Sequence, residues 1–280
     1  MTWLQALKRS LPEHKYAINT ALLGEQSVCA WSNLGDWSAC NDYAQACQQL
    51  ACRAAEAVQL TAHDRVLDLG CGQGASVLLW LNHFKVENVS AVELQPSHVA
   101  HIQQHIPQLQ QLMTESFLNL NALAFEFKFD VLLCIDAAYH SDLNLFLSSC
   151  KSVLNSNGRL AFHYLILTEK FNTLTPLQQR KYRYLLKAAD IDLLHLSDQA
   201  GTVNKLQQQG FQQIKIDNLS KAVLHGFALY WQRQRAIPQS AHLTLLQKVD
   251  FWKIDMTAKL CAKLYQEGVI DYVQIRATSA

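Results

Sequence analysis

Apolar residues recur along this chain with two different periods, and the change from one to the other divides it. Residues 42–58 (Asp-Tyr-Ala-Gln-Ala-Cys-Gln-Gln-Leu-Ala-Cys-Arg-Ala-Ala-Glu-Ala-Val) read as a helix, rich in alanine and opened by Asn41 or Asp42 as N-cap. From Asp64 the pattern becomes short apolar runs separated by helical stretches. The runs at 65–69, 89–93, 129–135 and 159–166 predict strands, with a weak one at 112–114. Helices are expected at about 76–84, 97–106 and 142–153, and a turn at Asn155-Ser-Asn-Gly158. Strands alternating with helices imply right-handed crossovers and a parallel sheet covered on both faces.

The later chain keeps this pattern at a slower rhythm. Residues 168–209 are mainly helical, with Thr175-Pro176 as a helix start, and Gly210 leads into a strand at 211–217. A second helical stretch, about 221–267, precedes a last strand at 270–276. Neither stretch has linker composition, so both read as helical cap insertions on one domain spanning 61–280. Residues 1–60 read as mostly helical, interrupted by Trp31-Ser-Asn-Leu-Gly-Asp-Trp37, either a packed surface loop or a flap. The expected fold is α/β, a doubly wound, seven-stranded, mostly parallel sheet.

Composition narrows the partner. Half of the 280 residues are hydrophobic, 17% are charged, and the net charge is +1. That balance offers no basic field for nucleic acid and points to a small molecule. The N-terminal residues lack the order of a secretory leader, and no apolar run approaches the roughly 20 residues of a membrane span. Eight cysteines without a CxxC pair read as reduced thiols of a cytoplasmic protein. Monomer and homodimer both stay open.

The first predicted strand runs straight into Gly70-Cys-Gly-Gln-Gly74. A strand, a glycine turn and a helix start bring backbone N–H groups and a helix N-terminus against a ligand. Gly70, Gly72 and Ala75 satisfy the loose dinucleotide pattern, with Glu93 as the acid ending the second strand, so a nicotinamide oxidoreductase is one reading. Asp68 argues against it, because a dinucleotide strand usually stays apolar up to the first glycine. An internal acid before the glycines suits a ligand bearing an ammonium group.

Val66-Leu-Asp-Leu-Gly-Cys-Gly-Gln-Gly74 resembles the first motif of the class I S-adenosylmethionine-dependent methyltransferases, in particular those acting on small molecules. The resemblance covers roughly residues 60–167 and the last strand. It implies a Rossmann-like fold and S-adenosylmethionine as cofactor. Asp68 would organise the loop, and Gly70, Cys71, Gly72 and Gly74 would let the backbone approach the aminocarboxypropyl chain. Glu93 would accept the ribose hydroxyls, Leu94 would pack on adenine, and Glu115 or Ser116 would lie beside it, where the family often has Asp. The fourth motif falls at Cys134-Ile-Asp-Ala-Ala-Tyr-His140. There Asp136 and Ala137 would border the cofactor, and Tyr139 and His140 would face the acceptor, with His140 or Asp136 as general base. The segment 1–60 becomes a lid, with Asn33, Gly35 and Trp37, and Tyr16 beside them, closing over the cofactor.

Other candidates are weaker. His163 lines the pocket or is a core histidine. His101 and His105 share a helix face with metal-ligand spacing but lack a third ligand, so no metal is expected. The cap is rich in aromatics (Tyr182, Tyr184, Phe227, Tyr230, Trp231, Phe251, Trp252), which form an acceptor pocket or the cap's own core. The expected function is methyl transfer to a small-molecule acceptor by in-line displacement. The alternative is a catalytically inactive S-adenosylmethionine-binding partner protein.

Overall fold

The computed structural model describes residues 19–236 and 244–280. Five strands alternate with helices first: β1 (Arg65–Leu69), β2 (Asn88–Glu93), β3 (Gln111–Thr114), β4 (Phe129–Cys134) and β5 (Leu154–Leu167). Two more follow, β6 (Phe211–Asn218) and β7 (Ile270–Ser279). They form one sheet in the order β3-β2-β1-β4-β5-β7-β6. β1 to β5 pair in parallel, whereas β7 lies antiparallel between β5 and β6. The chain leaves β1 toward β2 on one side and returns to β4 on the other. The crevice at that reversal is where open α/β sheets hold ligands.

Two apolar layers enclose the sheet, and the period of two in β1 feeds both. Val66 joins the layer made with α1 (Tyr43–Ala57), α2 (Ala75–Asn82) and α3 (Pro96–His105). Leu67 and Leu69 join the layer made with α4 (Leu143–Val153) and the later helices. Helix starts follow local chemistry: Asp42 and Asp142 each accept from a first-turn N–H. Capping boxes at Thr175/Gln178 and Thr244/Gln247 open α5 (Pro176–Ala188) and the long helix Leu245–Glu267.

The structure departs from the sequence reading in three places. Ahead of α1, the described residues hold one 3-10 turn, Thr20–Leu23, rather than a mostly helical segment. Glu25, Asn33 and Asp36 turn their side chains onto nearby N–H groups, and Gly24 and Gly35 take positive φ, which competes with helix formation. The expected turn at 155–158 is looped out within β5, since Leu154 pairs with Phe129 and Arg159 with Val131. Finally, α6 (Gln199–Gln208) packs on β5, β6 and α4, so it covers the sheet rather than standing off as cap. The second helical stretch holds α7 (Gly226–Gln234) and α8 (Leu245–Glu267), which pack on each other.

Candidate active site

The floor of the crevice is built by Asp68. Its side chain is 1% exposed and accepts a 2.6 Å hydrogen bond from Trp80 Nε1 on α2. Burial pushes its carboxyl up to about 6, against the pull of bonds from Ser76 and Trp80. Asp68 therefore fixes α2 to β1 beneath the loop and does not face the crevice mouth. Gly74 is the N-cap of α2 at φ +93°, and a Cβ there would sit 2.8 Å from Ile106 Cδ1. Gly72, at φ +57°, would meet Ser32 Oγ at 3.3 Å. One glycine thus serves packing against α3; the other keeps the loop's open side clear. Cys71 is buried, and its thiol is raised well above the ordinary range by burial, then by the charges of Asp68 and Glu93.

Glu93 ties the end of β2 to that loop. Its Oε2 accepts from Gly72 N at 2.9 Å and its Oε1 from Gln95 N at 2.9 Å. Beside it Leu94 is 51% exposed, an apolar shelf at the rim. Glu115 N donates to the Glu93 carbonyl, and the Glu115 carboxylate accepts from Ser116 N and Asn119 Nδ2. The Ser116 N–H bond holds that carboxyl below its usual range. Loop, Glu93, Leu94 and Glu115–Ser116 therefore stand together at one crevice edge.

Residues 30–33 roof the glycine loop. Ala30, Trp31, Ser32 and Asn33 enclose with Gly70, Cys71, Ala75, Ser76 and Ile135 a cavity of about 30 Å³. The segment behind this roof is firmly held. Asp36 is fully buried and pairs with Arg53 Nε at 2.8 Å, and Tyr43 donates to the Asn33 carbonyl. The Asn33 amide bonds the Cys47 carbonyl. Trp37 stacks on Tyr230 with ring centroids 4.2 Å apart and lies against Gly226. The structure thus brings Asn33 to the loop but turns Trp37 toward α7. Tyr16 lies outside the described residues.

The opposite wall gathers around Asp136, just past β4. It holds φ +56°, a conformation a non-glycine residue keeps only where its surroundings enforce it. Its Oδ2 accepts from Leu34 N at 2.7 Å and its Oδ1 from Tyr272 Oη at 2.7 Å. Its own N–H donates to Nδ1 of the fully buried His163 at 3.2 Å. Burial pushes the Asp136 carboxyl up to about 6, against hydrogen bonds from Tyr272, Leu34 and Tyr139. Burial also lowers His163 to about 4, so that imidazole stays neutral, with its proton on Nε2. Ala137 stands beside Gly70, whose added Cβ would lie 3.4 Å from the Ala137 Cβ. Tyr139 is 9% exposed, its hydroxyl raised by burial and then by Asp136. His140 is exposed, and its Nδ1 lies 3.2 Å from the Asp190 carbonyl oxygen in the cap.

Tyr272 was not among the residues expected at the site. Only the β5–β7 pairing brings it to β4, and nothing local in its strand marks it. The cap aromatics divide: Tyr182, Phe227, Tyr230 and Trp231 are buried in cap packing, Phe251 lies against Trp231, and Tyr184 and Trp252 face solvent. His101 Nε2 and His105 Nδ1 pair with the carbonyls of Val28 and His101.

Residues 67–162 match the family described as a methyltransferase domain. Over 71 residues the chain is 42% identical to erythromycin 3''-O-methyltransferase of Saccharopolyspora erythraea, covering 25% of this chain and 23% of that protein. Over 157 residues it is 29% identical to ubiquinone biosynthesis O-methyltransferase of Histophilus somni, covering 50% and 65%. The chain thus spans less than two thirds of either curated relative. Its fold matches mycolic acid cyclopropane synthase CmaA1 complexed with SAH and CTAB, with TM-score 0.71, 16% identity and coverage of 94% and 95%. Residues 67–162 thus resemble a methyltransferase domain, and the described chain around them shares the fold of structures such as geranyl diphosphate methyltransferase, at TM-score 0.70 and 12% identity over the full length of both chains.

Proposed function

We propose that this protein transfers a methyl group from S-adenosylmethionine to a small-molecule acceptor. The observation that carries the reading is the Glu93–Gly72 hydrogen bond, which sets a strand-end carboxylate and a glycine-rich loop on one prospective ligand. The residues present fit that cofactor. Gly72 keeps open a cradle that a Cβ would fill, no side chain caps the N-terminus of α2, and Leu94 offers a flat apolar rim.

When bound, the cofactor supplies an activated methyl on a positively charged sulfur, and the chain's work is alignment and proton handling. Gly70, Cys71 and Gly72 hold its amino acid end by backbone contact, and Gly74 and Asp68 keep the loop in place. Glu93 takes the ribose hydroxyls, and Leu94 with Glu115 and Ser116 takes the base. Asp136 and Ala137 border the reacting centre, with Asn33 closing above. Asp136, ionised at neutral pH, accepts the proton of an acceptor hydroxyl or amine, while Tyr139 and Tyr272 hold the acceptor in line. His140 steadies the cap through the Asp190 carbonyl at the acceptor side.

The roof leaves about 30 Å³, room for little more than a water, so residues 30–33 must swing aside to admit a nucleoside. We read residues up to 60 as the lid segment, of which the roof at 30–33 moves while Asp36, Trp37 and α1 anchor it, and 61–280 as the domain it closes. The eight free thiols suit a cytoplasmic site of action, and a net charge of +1 favours a small molecule over nucleic acid.

Calorimetry with S-adenosylhomocysteine tests the reading. The protein should bind it and not NADH. Glu93→Ala and Gly72→Val should each weaken binding by about 100-fold or more, with the native circular dichroism spectrum retained at the assay temperature. Unchanged affinity in both variants would overturn the assignment, and binding without turnover on any acceptor would favour a partner protein.

A further inference from the structure

A second cavity, of about 360 Å³, lies on the cap, and none of the residues assigned to the methyl-donor site line it. Its walls come from three stretches distant in sequence. Lys170 and Thr173 belong to the short helix after β5, Lys181 and Tyr182 to α5, and Lys263 and Glu267 to the last turns of α8. Three lysines and one carboxylate residue, Glu267, thus line one hollow of ligand size, a local excess of positive charge.

Their local pairing does not cancel this charge. Lys263 is ion-paired with Glu267, one turn along α8. Neither Lys170 nor Lys181 has a carboxylate partner among the described residues. The C-terminal end of α8 attracts cations and accounts for Lys263 and for Lys170, whose Nζ lies over Gly268. It does not account for Lys181, which stands on a different helix. Lys263 is held below its ordinary range by burial and then by Lys181, a repulsion that a bound anion relieves. The Lys263 ammonium sits 5.4 Å from the Tyr182 ring centroid. Tyr182 itself is 3% exposed, and its hydroxyl has no hydrogen-bond partner among the described residues.

We propose that this cap pocket binds a small molecule through a multiply charged oxyanion group, held by Lys170, Lys181 and Lys263, at a site separate from the methyl-donor crevice. The shared chemistry is an oxyanion carrying two or more charges, borne by a phosphate ester or a polycarboxylate. Lysines act on it as point charges, and Thr173 and Gln178 add polar contacts from the same wall.

Calorimetric titration of the whole chain with inorganic pyrophosphate, and separately with citrate, tests the proposal at ionic strength matched with potassium chloride. Saturable binding of pyrophosphate alone supports the site and assigns it to phosphate esters. Binding of citrate alone supports it and assigns it to polycarboxylates. The double variant Lys170→Glu/Lys181→Glu, at two exposed positions, should weaken binding by about tenfold or more, and Lys263→Gln by a smaller factor. Both variants should keep wild-type affinity for S-adenosylhomocysteine. Absence of saturable binding with either probe, or equal binding in the double variant, would overturn the proposal. A protein that binds pyrophosphate but not S-adenosylhomocysteine would keep this site and lose the methyl-transfer reading.

Discussion

Asp68 stands on β1 and Asp136 just past the neighbouring β4, and burial pushes both carboxyls up to about 6. Their surroundings differ in reach. Asp68 bonds Trp80, 12 residues on, within a single strand–loop–helix unit. Asp136 bonds Leu34 and Tyr272, 102 and 136 residues away, and so joins three parts of the chain at the crevice mouth. A similar titration thus accompanies two jobs, one that holds the floor and one that assembles the wall. A raised pKa by itself does not mark a catalytic group; the span of its partners separates the two cases.

The comparison is broken most forcefully at the floor. Gly74→Val forces a side chain onto Ile106 and Ile102 at positive φ, and should cost about 3 kcal/mol or more of stability in urea unfolding. Gly72→Val, also at positive φ but on the open side of the same loop, should cost less, about 1–2 kcal/mol from the backbone alone, and remove cofactor affinity. Equal stability losses at both positions would erase the distinction between packing glycine and binding glycine.

The wall gives the next largest effect. Asp136→Asn should lower kcat by about 100-fold or more if that carboxylate takes the acceptor proton, whereas Tyr272→Phe should cost about tenfold by loosening it. Asp68→Asn should instead act mainly on stability, by about 1–3 kcal/mol, with cofactor affinity retained in the folded fraction. A loss of kcat at Asp68 matching that at Asp136 would collapse the two roles into one.

Titration sharpens the same contrast. Both carboxyls sit near 6 in the fold, against about 4 in an unfolded chain. The fold therefore holds protons that the unfolded chain has released, and their stabilising contribution is lost as pH rises from about 4 to about 6. Asp68→Asn and Asp136→Asn should each flatten the stability profile in that window, while only Asp136→Asn should also remove an acidic limb from the activity profile. The smallest effect is expected at His140, exposed and bonded to a cap carbonyl: His140→Ala should change kcat by about threefold.

What could be read from the sequence follows the same division. Asp42 as a cap, the strands at 65–69 and 129–135 and the glycine loop depend on neighbours a few residues away, and each formed where expected. Trp37 was expected over the cofactor, yet the structure stacks it on Tyr230, a contact no local pattern announces. Residues 199–208 carry a helical period that does not say which surface they cover, and they cover the sheet. Tyr272 looks like any strand aromatic until pairing of β7 with β5 sets it beside β4. Local chemistry was legible; long-range meeting points were not.

The position of β7 also governs how the molecule is made. It pairs with β5 along its length, yet follows it by about a hundred residues, after both cap stretches. During synthesis the β5 flank therefore stays unpaired, its main-chain groups open, until residues 270–279 have left the ribosome. β6, emerging earlier, has no sheet to join until then. High contact order of this kind slows folding and leaves a sticky strand exposed meanwhile. Chains halted ahead of residue 270 should be the aggregating species when the protein is overproduced.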